Sequence, residues 1–125
     1  MFRQFVIRML AMMVIAGTAT SAYADSCYDV IISVDRTKAN GNEWDAAAGN
    51  YAPDIVTVIS GKSYPKCQDS YECVLYDVRV SQRVVSVDVI DKDAFADDPI
   101  GSGQCALGHG GCIVGRARLT TMPCQ

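Results

Sequence analysis

Cys73-Val74-Leu75-Tyr76-Asp77-Val78-Arg79-Val80, then Ser81-Gln82-Arg83, then Val84-Val85-Ser86-Val87-Asp88-Val89-Ile90 is the stretch that decides the fold. Successive side chains of a strand point to opposite faces. In the second run Val85, Val87 and Val89 therefore line one face, while Ser86 and Asp88 face water. Valine-rich alternation broken by a short polar segment reads as two strands. No part of the sequence from residue 25 onward sustains a helical stripe.

Working outward, Tyr28 to about Arg36 reads as a first strand with Val30, Ile32 and Val34 on one side. Asp54 to Ser60 reads as a second, bounded by Pro53 and by the turn residues Gly61-Lys62, and Ser63 to Cys67 as its return. Cys112 to Thr120 reads as the closing strand. About seven or eight short strands in a domain of about 100 residues predict an antiparallel β-sandwich. Trp44 sits in a loop instead of in a strand between two cysteines, which argues against an immunoglobulin-type core.

Residues 1–24 read as an export signal. Arg3 and Arg8 give a positive start, Met9 to Ala19 an apolar run, and Ala22-Tyr23-Ala24 a small-x-small cleavage site. The apolar run is shorter than the roughly 20 residues a membrane span needs. Residues 25–125 are then one β-sandwich domain, expected in the periplasm or secreted. Without the two arginines, nine basic side chains face fourteen acidic ones, a net charge of −5. Nucleic acid is an unsuitable partner for such a surface.

All six cysteines, 27, 67, 73, 105, 112 and 124, follow the signal, as expected of a disulfide framework in an oxidising compartment. Six cysteines permit 15 connectivities. Cys67 and Cys73 flank a short polar segment, and Cys105 and Cys112 flank the Gly-rich Ala106-Leu107-Gly108-His109-Gly110-Gly111, so both pairs read as local staples. Cys27 is left for Cys124, which would close nearly the whole domain. Zinc is the rival use, through Cys105, His109 and Cys112, but no fourth ligand is evident and exported thiols oxidise.

Twelve of the fourteen acidic residues are aspartate, a type that favours loops and cation sites. Six of the twelve lie in, or at the exit of, two long loops. Loop A, from Thr37 to Pro53, holds Asp45 and leads into Asp54; loop B, from Asp91 to Pro99, holds Asp91, Asp93, Asp97 and Asp98. Like charges 4 Å apart repel by about 1 kcal/mol in bulk water and more at a protein surface. Lys92 is the only cation inside loop B, and on a continuing strand it points away from Asp91 and Asp93. Calcium, with six to eight oxygen ligands and tolerance of irregular geometry, suits such loops better than magnesium. The EF-hand spacing is absent.

Val87-Asp88-Val89-Ile90-Asp91-Lys92-Asp93 followed by Asp97-Asp98-Pro99-Ile100-Gly101 resembles the C2 domain, the calcium-dependent lipid-binding module of protein kinase C and the synaptotagmins. In that family an apolar strand ends in Asp-x-Asp, and a later Asp, two residues before a Gly, completes the loop. Asp45 and Asp54-Ile55-Val56 hold places like those of its first calcium loop. The likeness runs from Val30 to about Leu119. It implies an eight-stranded antiparallel sandwich with its calcium loops at one end and Asp45, Asp54, Asp91, Asp93 and Asp98 as ligands, with Asp97 in reserve. Three features depart from the family: loop A is longer, Pro precedes Asp54, and the disulfides are foreign to cytosolic members.

The function expected is a calcium-binding module. Ala46, Ala47, Ala48, Tyr51 and Phe95 would offer apolar contacts to a membrane or partner. Lys62 and Lys66 make only a small basic face, so an exported protein or glycan is as suitable a partner as anionic lipid. The alternative is a metal-independent, disulfide-stapled binding or inhibitor domain that uses the Gly-rich segment from Gly101 to Gly111. No enzyme is expected: Gly-x-Ser-x-Gly, His-Glu-x-x-His and phosphate-loop motifs are missing, and His109 has no evident partner.

Overall fold

The computed structural model describes residues 24–44, 52–93 and 96–125. All of the expected export signal except Ala24 lies outside them. No helix among the described residues is long and apolar enough to cross a membrane. The strands are β1 (Ser26–Val34), β2 (Ile55–Ile59), β3 (Lys62–Ser63), β4 (Glu72–Val80), β5 (Val85–Asp91), β6 (Asp98–Cys105), β7 (Gly111–Val114) and β8 (Ala117–Pro123). They form two four-stranded antiparallel sheets, ordered β4-β1-β8-β7 and β3-β2-β5-β6. This is the antiparallel sandwich that the alternation predicts, with eight strands.

The inward faces carry the expected residues. Val30, Ile32 and Val34 of β1 meet Ile55 and Ile59 of β2 and Val85, Val87 and Val89 of β5 in one buried core, with Leu75, Val78 and Leu119. In β4 the inward phase slips: Cys73 and Leu75 are buried, and then Val78 and Val80. The slip is a β-bulge, which places two residues of one strand against one of its partner. Asp77 sits at φ +54 there, and its N–H donates to Asp29 Oδ1 at 3.1 Å.

Three local expectations need correction. The return strand expected at Ser63 to Cys67 shrinks to Lys62–Ser63, because β2 turns through Ser60 and Gly61, both at positive φ, and Cys67 makes only an isolated bridge to Ile55. The closing strand expected at Cys112 to Thr120 is a hairpin of β7 and β8, turned by Gly115-Arg116 with Gly115 at φ +55. Two-residue hairpin turns need a positive φ, which glycine supplies without strain. Gly101 to Gly103, read as part of a Gly-rich loop, belongs to β6. Trp44 is a loop residue as expected, yet it is buried, and its Nε1 donates to Asp35 O at 2.8 Å.

The three disulfides pair as the spacing suggests: Cys27 with Cys124, Cys67 with Cys73 and Cys105 with Cys112. No cysteine is free for zinc. Such a framework belongs to an oxidising environment.

Several chain segments converge at one rim. The N–H of Lys92 donates to Asp54 O at 2.9 Å, that of Arg116 to Ile100 O at 2.9 Å, and that of Asp35 to Arg116 O at 2.9 Å. The end of β5, the starts of β2 and β6, the β7–β8 turn and the exit of β1 thus meet there. The Cys27–Cys124 bridge joins the start of β1 to the chain just beyond β8, at the far end of the sandwich.

Candidate metal centre

Asp91 is the last residue of β5 and keeps the inward phase of Val85, Val87 and Val89. The hydrophobic pattern therefore carries a carboxylate into the edge of the core, where it is fully buried. Its register partner on β6 is Asp98, so two carboxylates face each other across an antiparallel pair. Like charges in that position destabilise a sheet. An irregularity in register, in which Val89 pairs with Gly101 but Ile90 with Pro99, brings Asp98 to this place. Asp93 follows two residues after Asp91, and one carboxylate oxygen from each of Asp91, Asp93 and Asp98 lies within 4.8 Å of the others.

The two oxygens of Asp91 differ. Oδ1 accepts from the N–H of Asp54 at 2.9 Å, whereas Oδ2 is buried with no hydrogen-bond partner among the described residues. Burial raises the Asp91 pKa above its ordinary 3.8; the charges of Asp93, Asp54 and Asp98 push the same way, against the Asp54 N–H. A buried carboxylate oxygen without a partner is costly.

Lys38 reaches the group from 60 residues away. Its Nζ donates to Asp98 Oδ2 at 2.7 Å. This ion pair, aided by the charges of Asp91 and Asp93 and opposed by burial, raises the Lys38 pKa above the usual 10.5. The turn presenting it is pinned: Lys38 N–H donates to Asn42 O, Gly41 N–H to Lys38 O, and Arg116 Nη2 to Lys38 O at 2.8 Å. Beside the carboxylates an open groove of about 670 Å³ is lined by Lys38, Trp44, Asp98, Ile100 and Arg116 among others.

Three of the five expected ligands, Asp91, Asp93 and Asp98, thus come together. Asp54 stands at the same rim but outside the group of three: its backbone holds Asp91, and its Oδ1 accepts from the N–H of Asp69 at 2.8 Å. Asp97, the reserve ligand, pairs outward with Lys92 at 3.1 Å. Asp45, Tyr51 and Phe95 lie outside the described residues, as do Ala46, Ala47 and Ala48.

Two contributors escape a reading of the sequence. Lys38 carries no local mark beyond being a cation in loop A. Asp69 belongs to the Cys67–Cys73 staple, which a hydrogen bond from Ser70 N–H to Pro53 O fastens against the start of β2. No protein-family model matches the chain, and no curated protein matches it.

Proposed function

We propose that the chain is an exported β-sandwich that binds a calcium ion through Asp91, Asp93 and Asp98 and uses the filled rim to dock on another surface, as a C2-like module does. The observation that carries this reading is Asp91 Oδ2, buried without a partner among the described residues in a sheet position that already opposes Asp98. Calcium–oxygen distances run about 2.3–2.6 Å, so two ligand atoms on opposite sides of one ion stand about 4.6–5.2 Å apart. Three carboxylate oxygens within 4.8 Å of one another suit a single such ion. Asp54 and Asp45 are the further ligands in this reading. Carboxylate oxygens alone, with no histidine or thiolate in the group, favour a hard cation.

Docking follows from electrostatics. The empty rim repels anions, and a bound ion with open coordination positions attracts a phosphate or carboxylate from lipid, protein or glycan. Tyr51 and Phe95 are the apolar contacts in this reading. An affinity in the range of extracellular modules, about 0.1–1 mM, would make calcium a lasting component outside the cell.

The test is thermal melting of residues 25–125 in chelator and in several-fold excess over about 1 mM calcium. Calcium is expected to raise the melting temperature, and the double variant Asp91→Asn, Asp93→Asn to lose that rise. Identical melting curves for the parent chain would remove the metal. Co-sedimentation with phosphatidylserine vesicles, with and without calcium, separates lipid from other partners.

A second reading, a metal-independent binding domain, draws on the outer face of the β4-β1-β8-β7 sheet. Val74, Tyr76, Ile113 and Met122 are exposed there, Tyr76 at 70% and Ile113 at 65%. Partner capture that ignores chelator would favour it.

A further inference from the structure

Three acidic side chains, Asp91, Asp93 and Asp98, meet at the rim with Asp54 beside them, and the ammonium of Lys38 already sits against Asp98. Two features make this more than a surface ion pair. The backbone of Lys38 is locked by Arg116 and by its own turn, so the ammonium is delivered from a fixed point. The ammonium also contacts Asp98 Oδ2 at 2.7 Å, on one of the three carboxylates that the group offers an ion.

We propose that Lys38 is a tethered counter-cation of this site, holding Asp98 while the seat is empty and displaced from it when a divalent ion enters. The inference rests on the metal-binding reading above and adds what sets the affinity and selectivity of the site. An ion that takes Asp98 Oδ2, or both oxygens of that carboxylate, must displace the ammonium hydrogen-bonded to Oδ2, because two cations at close range on one anion repel. Displacement has somewhere to go: the groove lined by Lys38, Asn40 and Arg116 is open, so the freed ammonium is hydrated without repacking the core. A monovalent ion gains little over the charge already in place. A divalent ion gains the whole carboxylate group.

An internal competitor lowers apparent affinity by the fraction of seats it leaves vacant, so an ammonium in place nine-tenths of the time weakens binding about tenfold. Calcium titration calorimetry on residues 25–125 tests this with Lys38→Met and Lys38→Gln, which remove the charge, and Lys38→Arg, which keeps it. The neutral variants are expected to bind calcium about tenfold more tightly than the parent, and the arginine variant about as the parent does. If the parent binds calcium and the neutral variants bind it no better, Lys38 is not a competitor, and the metal site stands without it. If only the neutral variants bind, Lys38 holds the seat permanently: the counter-cation is supported and metal binding by the native chain is overturned. If none binds, both readings fall. Should the variants fail to fold, the Lys38 ε-methylene NMR signals of the parent serve instead. They should move in step with calcium saturation, and signals that stay fixed while calcium binds would overturn the proposal.

Discussion

Asp91 carries a charge at a position that the strand pattern assigns to a valine. Its raised pKa gives a pH dependence of definite sign. A carboxyl group whose folded-state pKa lies above its unfolded value is more easily protonated in the folded chain. Its contribution to stability is therefore present at low pH and is lost as pH rises from the ordinary value near 3.8 through the raised one. In chelator, the parent should gain stability from this group as pH is lowered from 7 into that window. Asp91→Asn should lack that slope and at pH 7 in chelator should melt higher than the parent. A gain on the order of 1 kcal/mol corresponds to roughly 4–8 °C for a domain of this size, since a neutral amide can donate to the neighbouring carboxylates. With calcium the order should reverse, because the variant lacks a ligand of the proposed calcium site. Melting curves of both chains at two pH values, with and without calcium, check this; a variant that melts lower in chelator would mean that the buried charge is not a source of strain.

Among the elements, legibility follows side-chain chemistry. The alternation of β5 and most of β4 is visible in the sequence because most of their inward residues are valine or leucine, whereas β6 is hidden because its middle reads Gly101-Ser102-Gly103-Gln104. The reason is steric. A Cβ on Gly101 would run into the backbone carbonyl of Val114, and one on Gly115 would come within 2.7 Å of Gly101 Cα and Ile100 O. The glycines let the β7–β8 hairpin press against β6 and close one side of the sandwich, a tertiary demand that local propensity does not report. At the site, Asp91, Asp93 and Asp98 stand out by local density, but Lys38 is 60 residues from Asp98 and cannot. The prediction at this scale is a contrast. Gly101→Ala meets rigid backbone and should cost on the order of 2–3 kcal/mol. Gly103→Ala meets only Val114 Cγ1 at 3.3 Å and should cost roughly 1 kcal/mol or less. Urea midpoints of the two variants measure the difference, and equal midpoints would contradict the close approach.

For the whole molecule, the question is what keeps two small sheets folded when one rim holds concentrated negative charge. At the far end, Cys27 and Cys124 are neighbours even without their bond: Cys124 N–H donates to Cys27 O at 3.1 Å, and β1 already pairs with β8 as far as Tyr28 and Pro123. The bridge adds little contact in the folded state and acts mainly on the unfolded chain, where it closes a loop across a sequence separation of 97 residues. The chain-entropy relation gives about 4–5 kcal/mol for a closure of that length and roughly 2 kcal/mol for the separation of 7 residues between Cys105 and Cys112. Against a total stability of about 5–15 kcal/mol, the long bridge is a large fraction and the short one is not. Replacing Cys27 and Cys124 by serine should therefore lower the melting temperature by about 10 °C or more beyond the loss from replacing Cys105 and Cys112. Calcium should recover part of the deficit, because an ion that binds only the folded rim stabilises it by mass action wherever the chain is weakened. Scanning calorimetry of the two double variants, each with calcium and with chelator, gives both quantities. Equal losses in the two variants would place the stability of the sandwich in its native contacts instead of in the restraint on its unfolded chain.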